Sequence, residues 1–178
     1  MICPIFSKND GVNYKLSCIR TPMATKKTKS FEIFETITAS NTGTTQTIDL
    51  NTFVNVADLE AFGVQSIEVG INATEATPLT SSWKCQVALD DLTSAFINHA
   101  EYDSIYLSMA DFATGSHEES LSLGDVNEIR YIPGGLLDVR AQRLGASDVD
   151  LYVRVTGVIS KLSASDYMSL ALTRSANQ

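Results

Sequence analysis

Cysteine is scarce and scattered in these 178 residues: Cys3, Cys18 and Cys85 form no CxxC spacing. An odd set so placed argues against a zinc site and against a disulfide framework. Cys3 and Cys18 can pair only in an oxidising setting. In "WKCQVAL", alternation puts Cys85 on one face with Trp83, Val87 and Leu89, the position of a free buried thiol. Histidine is nearly as rare, with only His99 and His117. His117 sits in an acidic loop, "SHEES", beside Glu118 and Glu119, which invites a metal reading. Neighbouring residues on a loop do not preset a coordination geometry, however, and no second cluster supplies the remaining ligands.

Other absences narrow the function classes. No segment approaches the ~18 apolar residues of a membrane span, and Met1–Phe6 is too short for the apolar stretch of a secretory signal. No GxSxG elbow occurs, and "PGGLL" precedes a strand pattern rather than a helix, so it fails as a phosphate loop. A Ser-His-Asp set drawn from distant positions stays open on sequence alone. The adjacent pairs Asp90–Asp91 and Glu118–Glu119 would point to opposite faces of a strand, a poor arrangement for flanking one glycosidic bond. Asp90 and Asp91 better suit the positive end of a following helix. "NAT" at Asn72–Thr74 fits a glycosylation acceptor, a triplet that also arises by chance. The expectation is a protein that is not an enzyme and has no metal, no cofactor and no small-molecule substrate.

Basic charge is short as well, and unevenly placed. Thirteen Lys/Arg face 21 Asp/Glu, a net of -8. Residues 1–30 hold six of those cations (Lys8, Lys15, Arg20, Lys26, Lys27, Lys29) against Asp10 alone, a net of +5; the remainder carries -13. A body so acidic repels phosphate and is a poor nucleic-acid binder. The first thirty residues read as a basic N-terminal arm able to touch an anionic surface or an acidic neighbour. The alternative is a plain solubilising tail, or a working start at Met23 with residues 1–22 as an upstream extension.

What the chain has in abundance is period two. "FEIFETITA" places Phe31, Ile33, Glu35 and Ile37 on one side. "TQTIDLN", "VQSIEVGIN", "WKCQVAL", "SIYLSMA" (with Ile105, Leu107 and Met109 facing together), "NEIRYI" and "LLDVRAQ" follow. "VDLYVRVTGVI" is the clearest, with Leu151, Val153, Val155 and Ile159 opposite Tyr152, Arg154 and Thr156. Most runs are rich in the β-branched and aromatic residues that suit a pleated surface. Turn formers separate them, and Pro133–Gly135 reads as a tight hairpin connection. "NVADLEAFG" and "DDLTSAFINHAE" read as short helices. The tail "SASDYMSLALTRS" fits a helix capped by Ser163 or Ser165, or a ninth strand. Eight strands and few helices predict an all-β fold: an antiparallel, eight-stranded, jelly-roll-like sandwich over residues 31–178, with a possible C-terminal helix.

Arg130, Arg140 and Arg154 lie mid-run and alternate with apolar residues, which predicts that each points away from the core. Together with Lys26, Lys27 and Lys29 they are the candidate interface residues. The alternative is ordinary outward charge paired with Asp138, Glu128 or Asp150. Arginine's planar fork pairs carboxylates bidentately, so an acidic neighbouring copy is a natural partner. Thr/Ser/Ala/Asn-rich loops such as "ITASNTGTTQT" also suit close contacts between subunits.

Taken with the strand pattern of residues 31–162, and above all with "RYIPGGLLDVRAQRLGASDVDLYVRVTGVISKL", the chain resembles the single jelly-roll capsid proteins of tailless icosahedral viruses. The resemblance implies a virion structural protein, a major or minor capsid subunit that binds copies of itself and other virion proteins. Nucleic acid or an internal membrane would be touched only through the arm, which is shorter and less basic than the arms of capsid proteins that package nucleic acid directly. A carbohydrate- or receptor-binding sandwich is the competing reading. Such modules present solvent-facing aromatics, whereas Trp83, the single tryptophan, reads as core-facing.

Overall fold

The computed structural model describes residues 26, 27, 30–72, 82–89, 92, 95–111, 114–121, 129–145 and 147–176. Cys3, Cys18, Met23, Lys29, Asp90, Asp91, Glu128 and most of the loop after Asn72 lie outside them. The strands are β1 (Lys26–Lys27), β2 (Phe31–Ala39), β3 (Thr44–Asp49), β4 (Glu60–Ile71), β5 (Ser82–Leu89), β6 (Ser104–Asp111), β7 (Ser116–Leu121), β8 (Arg130–Ile132), β9 (Leu136–Leu144) and β10 (Val149–Lys161). Nine have three residues or more, and β1 is a two-residue bridge. One helix, α1 (Ala164–Ala176), follows.

The strands form two antiparallel sheets. Sheet A runs β2–β10–β4–β8, with β1 continuing the line of β2 along β10. Sheet B runs β3–β9–β5–β6–β7. With β1 and β7 set aside, the pairing is nested: first strand with last (β2 with β10), second with seventh (β3 with β9), third with sixth (β4 with β8), fourth with fifth (β5 with β6). Two further pairings, β10 with β4 and β9 with β5, join these hairpin-like ladders into sheets.

Alternation supplies the core. Ile33, Ile37, Val69, Val153 and Val155 from sheet A meet Ile48, Val87, Val139 and Tyr106 from sheet B, all buried in one cluster. Two bulges change the phase. Thr156 pairs with Ser66 and Gly157 with Val64, so Gln65 is the extra residue of β4. Inward positions therefore switch from Ile67, Val69 and Ile71 to Phe62 and Val64. At Gly157 an added Cβ would strike the Phe62 ring and the Gly63 carbonyl, so a side chain there would push the two strands apart. In β6, Val87 pairs with Tyr106 and Ala88 with Ser104, leaving Ile105 as the extra residue.

The second bulge corrects the reading of "SIYLSMA". Ile105 is buried in the core, but Tyr106, Ser108 and Ala110 share the inward register with Val87, Cys85 and Trp83, while Leu107 and Met109 turn outward. "SHEES" is no loop but the start of β7, paired with β6. Pro133–Gly135 is not a hairpin, because β8 and β9 lie in different sheets; Gly134 and Gly135 take positive φ (99° and 98°) to carry the chain across. "NVADLEAFG" forms a 3-10 turn capped by Asn55, then enters β4 at Glu60. The described part of "DDLTSAFINHAE" is an irregular segment rather than a helix. The tail is helical: Ser163 Oγ accepts from the Asp166 amide at 3.2 Å. Tyr167 and Leu170 pack inward on Ala61 and Leu162, and Met168 and Leu172 face solvent at 56% and 62% exposure.

Candidate interaction surfaces

About half of the outer face of sheet B is covered by its own chain; the rest, with Met109 and Leu144 at 37% and 66% exposure, is open. Asp138, Arg140, Gln86 and Ser104 carry the parity opposite the core, which from sequence reads as solvated. Instead they are buried, beneath Leu92 and the segment Ala95–Asp103. Gln86 holds Ile97 by both its backbone groups at 3.0 Å and donates to Ser104 Oγ at 2.9 Å. Asp138 accepts from the Leu92 amide at 3.0 Å and from Thr47 at 2.7 Å. Arg140 donates to the carbonyls of Leu92 and Thr42 and to Thr45 Oγ1, each at 3.0 Å. These side chains thus satisfy backbone groups of an irregular segment that has no strand ladder of its own. Gly43, at φ 82°, turns β2 into β3 against the Arg140 guanidinium, where a Cβ would collide.

The predicted outward arginine trio is therefore corrected. Arg140 is 6% exposed. Arg130 shares the inward register of Ile132; its guanidinium lies 4.7 Å from the Tyr102 ring centroid and donates to the Ser104 carbonyl (3.2 Å) and the Tyr102 carbonyl, bridging to sheet B. Burial lowers its pKa, and Tyr102 and Asp103 act in the opposite sense. Arg154 alone of the three sits on an open face, and its partners are Glu68 (3.3 Å) and Glu32 (3.7 Å), not the Asp138, Glu128 or Asp150 expected from sequence. The three arginines do not converge. Lys26 and Lys27 pair by backbone with Lys161 and Ser160, at the other end of β10.

That open face is the outer side of sheet A, and half of it is covered. Helix α1 lies over Ala61, Tyr131 and Leu162, and the Tyr167 hydroxyl donates to the Pro133 carbonyl at 2.9 Å. The other half carries a cross-strand array in direct register: Phe34–Arg154–Glu68 and Thr36–Tyr152–Gly70. Phe34 is 56% exposed and stacks on Tyr152, with centroids 6.0 Å apart and planes 13° from parallel. Gly70 leaves room for the Tyr152 ring, whose hydroxyl donates to Glu68 at 2.7 Å. Thr38 donates to Asp150 at 2.6 Å. Three carboxylates (Glu32, Glu68, Asp150) here face one guanidinium.

Solvent-facing aromatics are thus present, against the expectation that the tryptophan alone decided that question. The signal was in "FEIFETITA": if Ile33 and Ile37 face inward, Phe34 faces out with Glu32 and Thr36. Cys85 is fully buried, which pushes its thiol pKa up to about 12 and leaves it inert. Among the described residues no group of three His, Cys, Asp or Glu is placed to hold a metal ion, and no helix is long and apolar enough to cross a membrane. Family models, curated proteins and solved structures all give no match to this chain.

Proposed function

We propose that this chain is a non-enzymatic virion structural protein, a self-assembling capsid subunit whose sandwich is a jelly roll. The nested strand pairing carries the reading. An eight-strand ribbon folded in half pairs first with last and fourth with fifth, and rolling it adds the two cross-pairings that close the sheets. In this reading β7 is an inserted hairpin strand and β1 an extension of the first strand. Each outer face is then half covered, sheet B by the segment Ala95–Asp103 and sheet A by helix α1.

The open half of sheet A supports a contact with a second copy, with its sign reversed from the arginine patch expected from sequence. Its carboxylates and stacked rings suit cations, through ion pairs and cation–π contacts. The part of the basic arm ahead of β1, residues 1–25 with Lys8, Lys15 and Arg20 against Asp10, is the complementary element of a neighbouring subunit. Other virion proteins, an internal membrane or nucleic acid would be further arm contacts. Phe34→Ser with Glu68→Lys, and separately removal of residues 1–25, are each expected to leave a folded sandwich by circular dichroism and to abolish large species in sedimentation. Particles unchanged by either alteration would overturn the arm-to-face contact.

The same Phe34–Tyr152 stack, ringed by Thr36, Glu68 and Arg154, favours the second reading, a carbohydrate-binding face. Sugar binding to a monomeric chain, lost in Phe34→Ser, would select it.

A further inference from the structure

Strand β2 is the edge of sheet A. All nine of its residues pair with β10 along one side, and among the described residues no strand pairs along the other. Alternate N–H and C=O groups on that side have no ladder to join. β2 has no proline, glycine or lysine to guard the edge; its one guard is Glu35. Glu35 takes an inward position between the buried Ile33 and Ile37, is itself half-buried, and accepts from Gln46 Nε2 of β3 across the gap between the sheets. An apolar residue laid opposite would leave the second oxygen of that carboxylate unpaired as water is excluded. Two copies of β2 cannot pair without this cost. In every antiparallel register that keeps the inward faces together, Glu35 meets Phe31, Ile33, Ile37, Ala39 or a second Glu35.

The chain ahead of β1 holds a pattern that answers this edge. Between Gly11 and Pro22, the residues Val12, Tyr14, Leu16 and Cys18 alternate with Asn13, Lys15 and Ser17. That is the period of a half-buried strand, bounded by the residues that punctuate strands. We infer that residues 12–18 of a neighbouring subunit add to the free edge of β2 as an antiparallel strand; this rests on the arm-to-face reading above and names its mode. Setting Tyr14 opposite Glu35 fixes the other pairs. Inward, the Tyr14 hydroxyl donates to Glu35, Val12 meets Ile37, Leu16 meets Ile33 and Cys18 meets Phe31. Outward, Asn13 meets Thr36 and Ser17 meets Glu32, while Lys15 lies across from the exposed Phe34 ring with Glu32 diagonal to it. A cation there gains both the ring face and the carboxylate. Residues 19–25 allow a span of at most roughly 29 Å between Cys18 and Lys26, enough to cross to an adjoining subunit.

The test is a disulfide trap in the full chain. Asn13→Cys and Thr36→Cys are combined in a Cys3→Ser, Cys18→Ala background; Cys85 is buried and does not compete. After mild oxidation, a non-reducing gel of the large species is expected to show a ladder of covalently joined subunits. At least fivefold less ladder is expected when Thr38→Cys is used in place of Thr36→Cys, which lies two residues out of register. Ser17→Cys with Glu32→Cys gives the same ladder should the first pair not fold. Large species that form without cross-linking would overturn strand addition and leave the arm-to-face contact standing. Equal cross-linking with Thr38→Cys would overturn the register, and cross-links confined to single chains would overturn donation by a neighbour. An unsubstituted chain that forms no large species overturns both this inference and the reading it rests on.

Discussion

Arg140 and Arg154 look alike in sequence, each mid-strand between inward-facing apolar residues (Val139 and Ala141, Val153 and Val155), but they answer to different physics. Arg140 supplies donors to two carbonyls and a hydroxyl inside a sealed layer. Truncating it to alanine strands those acceptors, at a cost of about 3 kcal/mol. Arg154 pairs with carboxylates that are more than half exposed, so its alanine variant loses less than about 1 kcal/mol. Urea unfolding of the two variants at pH 7 checks the contrast; equal losses would mean the segment over sheet B is not clamped by Arg140. Cys85 yields a pH prediction. The folded state raises the thiol from 9.0 to about 12, so it holds the proton more tightly than the unfolded chain does. The resulting stability is full below pH about 9 and falls as pH rises toward 12, by up to about 1.4 kcal/mol per pH unit. Cys85→Ala is expected to flatten that part of the stability–pH curve, measured by urea unfolding between pH 8 and 11.

Among the elements, period two located the strands because one face of each is apolar and the other is not. It could not show where phase breaks. Gln65 and Ile105 are single extra residues, with nothing in their side chains to distinguish them from regular strand positions. It also could not show which polar side chains become buried, because Gln86, Asp138 and Arg140 read as solvated until Leu92 and the segment Ala95–Asp103 are laid over them. Sheet membership was equally hidden: a Pro-Gly-Gly turn carries the same signal whether it joins two strands of one sheet or crosses to the other. The tail was legible but ambiguous, since Met168, Leu170 and Leu172 alternate while Tyr167 and Leu170 also fit a helix. The cap at Ser163 and the docking of Tyr167 decide for the helix. Ser163→Ala is expected to destabilise the protein by about 1 kcal/mol, read as a lower urea midpoint with an unchanged slope.

On the scale of the whole molecule, nested pairing makes a two-layer block whose strands come from distant parts of the sequence. The sequence carried the class of fold; it did not carry the sign of the open face, because charge there depends on which strands are neighbours. Sedimentation velocity of the purified full chain across salt and concentration, with electron microscopy of the fast fraction, tests the central claim most directly. Self-assembly predicts large species of uniform size in the micrographs, dissociating as salt screens the arm-to-face contact. A single monomeric boundary at every salt and concentration, with no particles, would contradict it.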